Sequence, residues 1–256
     1  MVFAARLLGF GVDTGVARDS VRSLIVPPWW EAGVTVAGES FTSRLSAWQW
    51  HTAALRYRGK SASHGLEFFT ARRFDRWNSG VAVEESRTVG RGAYVALRAQ
   101  IAPGATVVAR SDLSIDWYQS VGKGWEIVPS ARLMSFPRER VPMLGVGLGR
   151  YTGLWYVGGR LSRSNRSGEQ GITTTAQVRH YVADASPDFF DATIAYGHDL
   201  TVVGPSTVGT LRTSSAAVRG QRMISRRVGV SLVVTYDVNA ALPDRRGGVI
   251  TTFVRW

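Results

Sequence analysis

From Trp29 onward, apolar and polar residues alternate along most of the chain in segments of about 9 to 13 residues. Side chains in a strand point to opposite faces in turn, so a period of two gives each segment one apolar and one polar side. Thr106 to Tyr118 shows this most clearly. Val107, Ala109, Leu113, Ile115 and Trp117 form one face, and Val108, Arg110, Asp112, Ser114, Asp116 and Tyr118 form the other. Trp125 to Phe136 repeats the arrangement, with Trp125, Ile127, Ala131 and Leu133 opposite Glu126, Ser130 and Arg132. In Val141 to Tyr151, Leu144, Val146 and Leu148 lie opposite Gly145, Gly147 and Gly149. Alternating glycines weaken a strand unless something packs closely on them or the sheet bends there.

Fourteen such segments can be read, or twelve if the first and fourth are set aside. Pro103-Gly104 and the polar stretches at Gly59 to His64, Asn165 to Glu169 and Asp184 to Asp188 separate them as turns and loops. Eleven residues tilted by about 40° rise roughly 25 to 28 Å, the apolar height of an outer membrane. The expected fold is therefore all-β, an antiparallel transmembrane β-barrel of 12–14 strands. Arg246 to Trp256 reads as its closing strand, with Trp256, Val254, Thr252 and Ile250 on one face and Arg255, Phe253, Thr251 and Val249 on the other. A terminal aromatic suits the interfacial girdle of such a barrel. Residues 31–256 are the expected barrel and residues 1–30 a leader or extension. That extension has an apolar centre interrupted by Arg6 and Asp13, and it lacks a basic start.

Composition narrows the picture. No apolar run approaches the roughly 18 residues of a membrane-spanning helix. There is no cysteine, which excludes disulfides, thiolate nucleophiles and Cys-ligated metals. The net charge of +12 comes from 31 basic against 19 acidic residues, and nearly all the basic residues are arginine. These arginines are spread along the strands with no basic tail or recognition helix, which argues against nucleic acid. They fit the lumen or mouth of a pore better.

The candidate lumen and anion-binding residues are Arg98, Arg110, Asp112, Asp116, Arg132, Arg150, Arg160 and Arg179, with Gln177 beside them. Arginine rings favour anions, and neighbouring acids hold the guanidinium groups in place. Asp112 and Asp116 share a face, so pairing with Arg110 and Arg132 competes with glycosidic chemistry there. Nine tryptophans is a high number for this length. Trp48, Trp117, Trp125, Trp155 and Trp256 lie near segment ends, where an aromatic girdle needs them. The four histidines, His51, His64, His180 and His198, fall in no metal-ligand spacing. His198-Asp199 with Ser206 or Ser214 is the only hydrolase-like grouping, and sequence proximity alone assembles no triad. No cofactor, metal or catalytic residue is expected.

Ser114 to Phe136 (SIDWYQSVGKGWEIVPSARLMSF), Val146 to Arg160 (VGLGRYTGLWYVGGR), Arg179-His180-Tyr181 and Ala195-Tyr196-Gly197 together resemble the YaiO-type family of bacterial outer-membrane β-barrels. The resemblance spans roughly residues 75 to 256 and rests on scattered Gly, Trp, Tyr and Arg positions. It implies an outer-membrane location and brings no catalytic residues. The expected partners are outer-membrane lipid, the barrel-assembly machinery through the C-terminal strand, and anionic solutes or polysaccharide. The leading function is a small channel or glycan-associated barrel. The alternatives are a soluble or periplasmic all-β module binding acidic glycans, and a barrel-embedded hydrolase. The outward face discriminates: a continuous apolar belt requires a membrane.

Overall fold

The computed structural model describes residues 28–43, 45–184, 186–240 and 242–256. The leader or extension expected over residues 1–30 falls almost wholly outside them. The described chain forms fourteen strands: β1 (Trp29–Phe41), β2 (Trp48–Arg58), β3 (Ala62–Arg73), β4 (Arg76–Gly90), β5 (Ala93–Ile101), β6 (Ser111–Gly122), β7 (Trp125–Ser135), β8 (Arg140–Thr152), β9 (Trp155–Arg166), β10 (Glu169–Tyr181), β11 (Phe189–Gly204), β12 (Thr207–Met223), β13 (Val228–Asn239) and β14 (Arg245–Arg255). Each pairs antiparallel with its sequence neighbours, and β14 pairs with β1 to close the barrel. The closing register sets Glu31 against Arg255 and Val36 against Ile250. No edge remains unpaired, as lipid demands of a spanning sheet. One end of the barrel, the terminal end, carries Trp29 and Trp256. The other is called here the far end.

The two faces differ as the alternation predicts. Outward residues include Val34, Leu144, Ile194 and Val234, at 57%, 68%, 62% and 67% exposure. Such residues continue on neighbouring strands all round the barrel, a far larger apolar surface than a soluble monomer leaves in water. Inward positions are buried or half-buried and mostly polar, small or charged. Trp30, Trp117, Trp125, Trp155 and Trp256 project outward near the terminal end, where an interfacial girdle sits.

The inward glycines of β8 make room for aromatic rings. A Cβ at Gly149 would meet the Tyr156 ring at 2.7 Å, and one at Gly158 would meet it at about 3.0 Å. Tyr156 thus lies flat across two strands, filling space that Cβ atoms would occupy. Gly80 under Phe69 and Gly229 under Phe253 repeat the device. Gly149→Val should force Tyr156 away and destabilise the folded barrel by about 1–3 kcal/mol, as overpacking does. The urea midpoint of the detergent-folded protein measures this, and an unchanged midpoint would refute the packing role.

Candidate functional site

Strand parity decides which charges enter the lumen, and cross-strand spacing decides which can meet. On β2 to β5 the inward Arg56, Glu67, Glu84 and Arg98 fall on adjacent strands and form a ladder. Arg98 reaches Glu67 at 3.1 Å and Glu84 at 3.2 Å, and Arg56 reaches Glu84 at 3.5 Å and Glu31 at 3.6 Å. Arg255 closes the circuit to Glu31 at 2.8 Å. Arg132 holds Asp112 with both arms of its fork, its Nε donating at 2.8 Å. Arg160 on β9 reaches Asp116 on β6 at 3.0 Å, crossing β7 and β8. Arg160 passes beside Gly147, where a Cβ would lie 3.7 Å from its Nε, an ordinary contact. On β10 to β12, Arg179 and Arg219 share the carboxylate of Asp191 at 3.0 and 2.7 Å, and both guanidiniums stack on Phe189.

The lumen is therefore close to neutral. Glu31, Glu39, Glu67, Glu84, Asp112, Asp116, Asp191 and Asp237 each bridge an inward arginine. Charges taken out of bulk water need partners of this kind. Midway along the axis the ladder keeps some access to solvent, with side-chain exposures of 24% for Arg56 and Arg160 and 22% for Glu84. Ser114, Ser130, Ser162 and Gln177 are inward there and also half-buried.

The far end is closed. The β5–β6 connection turns into the barrel, and Ala102, Ala105, Val107 and Val108 are at most 5% exposed. Ala102, Ala105 and Val108 pack on Phe69 and Ala71 of β3 and on Trp50 of β2. Ala109 joins Met134, Phe136, Val141 and Met143 from β7 and β8 and Leu200, Val202 and Val208 from the β11–β12 hairpin. The loop thus spans the mouth between opposite walls. Polar anchors hold its backbone. The Asn78 side-chain oxygen accepts from the Thr106 and Val107 N–H groups at 2.9 and 2.8 Å. Arg73 donates to the Val107 carbonyl at 3.1 Å, and the Ser206 N–H donates to the Thr106 carbonyl at 2.6 Å. Beneath Arg73, Trp48 lies between two guanidiniums, Arg73 at 4.8 Å and Arg245 at 5.3 Å from its ring.

At the terminal end the inner wall of β5 to β9 is aromatic. Tyr94 and Tyr118 stack at 4.2 Å, and Tyr151 and Tyr156 meet at 4.7 Å. Among them Glu126 is 2% exposed and hydrogen-bonded to Tyr156, with no guanidinium bridge among the described residues.

Arg98, Asp112, Asp116, Arg132, Arg160 and Arg179 face the lumen as the alternation indicates. Other expectations fail. Arg110 is exposed on the β5–β6 loop, its Nε donating to the Ala105 carbonyl at 3.3 Å, because β6 begins only at Ser111. Val107 and Ala109, expected on the lipid face, are buried inside for the same reason. Arg150 is on the outer face of β8, opposite Trp125 in register and 5.1 Å from its ring. Trp48 is 3% exposed inside the barrel and is no girdle residue, whereas Trp117, Trp125, Trp155 and Trp256 all face outward. Asp116 pairs with Arg160 rather than Arg110 or Arg132. Of the hydrolase-like grouping, His198 and Ser214 are exposed on the outer face, Asp199 is buried inside and Ser206 lies in the β11–β12 turn, so His198 and Asp199 face opposite sides of the wall. No group of acids and histidines is placed to hold a metal among the described residues.

A closed, lipid-facing antiparallel barrel with a polar interior narrows the family. The model of the YaiO membrane beta barrel domain matches residues 31–199. The chain belongs to this family. The match covers β1 to most of β11, including the ladder and the β5–β6 loop. The protein is a bacterial outer-membrane β-barrel. Among solved structures, Pseudomonas aeruginosa OpdQ is similar at a TM-score of 0.50 and 7% identity, covering 90% of this chain and 98% of that one. The KdgM porin is similar at 0.50 and 8% identity, covering 87% and 98%. Pseudomonas aeruginosa OccK7 (OpdD) is similar at 0.50 and 7% identity, covering 90% and 98%. At these identities the likeness is one of fold. Comparison with curated proteins gives no match. The YaiO-family barrel thus shares its architecture with porins, with a lumen of its own.

Proposed function

We propose that this YaiO-family barrel is a narrow solute channel whose far mouth is closed by the β5–β6 loop in the state described. The ladder of Arg56, Glu84, Arg98, Asp116 and Arg160 midway along the lumen, with side chains 16–24% exposed, carries this reading. A purely structural core of this size would be drier and more apolar. Guanidinium N–H groups facing the lumen suit hydroxyl- and carboxylate-bearing solutes such as acidic saccharides. Near-neutrality makes the anion preference weaker than a bare arginine ring would give. We assign no catalysis to the lumen, since most of its acids are occupied by arginine and Glu126 is held by Tyr156. The outer face contacts membrane lipid, and β14 with Trp256 is the segment offered to the assembly machinery.

In planar bilayers the intact protein should conduct poorly, with a reversal potential displaced modestly toward anions. Arg98→Gln with Arg160→Gln should shift it toward cations by freeing Glu67, Glu84 and Asp116. Cation selectivity of the unaltered protein would contradict this reading.

A further inference from the structure

The lumen's near-neutrality places the surplus positive charge elsewhere, and part of it forms an outward arc at the far end. Arg140 on β8, Arg163 on β9, Arg212 on β12 and Arg246 on β14 are exposed on the outer face. Arg140, Arg163 and Arg212 lie at or just beyond the last lipid-facing apolar or tyrosine side chain, and Arg246 lies level with Tyr236, two residues short of the exposed Val238. Arg163 is flanked in register by Leu144 and Ile172, and Arg140 lies four residues before Leu144. Arg212 stacks on Tyr196 at 5.3 Å and donates to its hydroxyl, and Arg246 stands 5.9 Å from the Tyr236 ring. Tyrosine at this height marks the boundary between acyl chain and headgroup.

None of the four guanidiniums has a carboxylate within bridging distance among the described residues. Nearby acids are engaged otherwise: Glu169 by Arg166 at 2.9 Å, and Asp244 by the Tyr236 hydroxyl at 3.0 Å. Fixed, unneutralised guanidiniums at headgroup depth, spaced over half the circumference, complement phosphate.

We infer that this arc is a binding surface for lipids whose phosphate headgroup carries a net negative charge, in the leaflet at the far end. Arginine forks hold the phosphates, and the apolar band below takes the acyl chains. The occupant is lipid, since a free phosphate gains nothing from that band. The inference is independent of whether the lumen conducts.

The test is native mass spectrometry of the full-length barrel in zwitterionic detergent. It is titrated with phosphatidic acid and with phosphatidylcholine of the same acyl chains. Phosphatidic acid should be retained about tenfold or more over phosphatidylcholine. Replacing Arg140, Arg163, Arg212 and Arg246 by Gln should abolish the preference, and replacing them by Lys should largely keep it. Equal retention of the two lipids by the unaltered protein would overturn the inference, which needs no variant to fold. So would an undiminished preference in a folded Gln variant, or displacement of the lipid by millimolar inorganic phosphate.

Discussion

Removal of Pro103 to Ala109, with an Asn-Gly turn joining Ala102 to Arg110, should raise single-channel conductance several-fold. The cut retains the ladder hydrogen bond from the Ala102 N–H to the Arg110 carbonyl at 2.8 Å, and a two-residue turn of this type suits the twist of a hairpin. What leaves is the apolar matter in the far mouth, with Val107 fully buried and Ala105 at 1% exposure. The barrel wall should survive, because every strand keeps both neighbours. Gel mobility that still changes on boiling would verify this. A folded barrel with unaltered conductance would show that the loop is not the obstruction. Asn78→Ala is the milder version. Two backbone N–H groups of the loop lose their acceptor, at about 1–3 kcal/mol each where water cannot replace it. Brief openings should become more frequent without a rise in full conductance.

The second large effect concerns stability. Asp191→Asn should cost about 3–5 kcal/mol, because it takes away the carboxylate that Arg179 and Arg219 share. Arg179 is 2% exposed and sits against Phe189, so water has little means of replacing that charge. Arg219, with 15% side-chain exposure, should contribute the smaller part of the loss. The urea midpoint of the detergent-folded protein should fall accordingly. Arg219→Gln alone should be much milder, since it leaves one guanidinium facing one carboxylate. Equal losses in the two variants would exclude the shared-carboxylate account.

The barrel was legible in the chain because strand alternation is a local property that lipid on one side and water or charge on the other both enforce. The faces of β7, β8 and β14 follow directly from it. The pairing of Asp112 with Arg132 was open to the same reading, since they lie on neighbouring strands. The reach of Arg160 across two strands to Asp116 was hidden, because it depends on register and on the length of the arginine side chain. Trp48 was misplaced because nearness to a segment end says nothing about inside or outside. Its parity with Thr52 and Arg56 was the available signal. Arg150 shows the converse, since a charge at the rim of a strand can lie on the outer face. The β5–β6 loop was the least legible feature. Val107, Val108 and Ala109 are apolar whether they meet lipid or fill a lumen, and only the tertiary structure separates the two. Asp191, Arg219, Arg73 and Arg245 escaped notice because no spacing in the chain marks a residue as one side of a bridge.

All but one of the barrel's seams join strands that follow each other in the chain. The exception, β1 against β14, brings together residues such as Thr35 and Thr251, whose side chains hydrogen-bond at 2.9 Å across a separation of 216 positions. Hairpins can form as soon as their own residues exist, but this last seam must wait for β14 and bears the entropy of closing the largest loop. Until it does, two strands present unpaired backbone to the bilayer at once. The slow, hazardous step in making this protein is thus concentrated in one seam. A cysteine pair replacing Val34 and Thr252, which are paired in register, would time it. Its cross-link should form later than any cross-link placed within a hairpin.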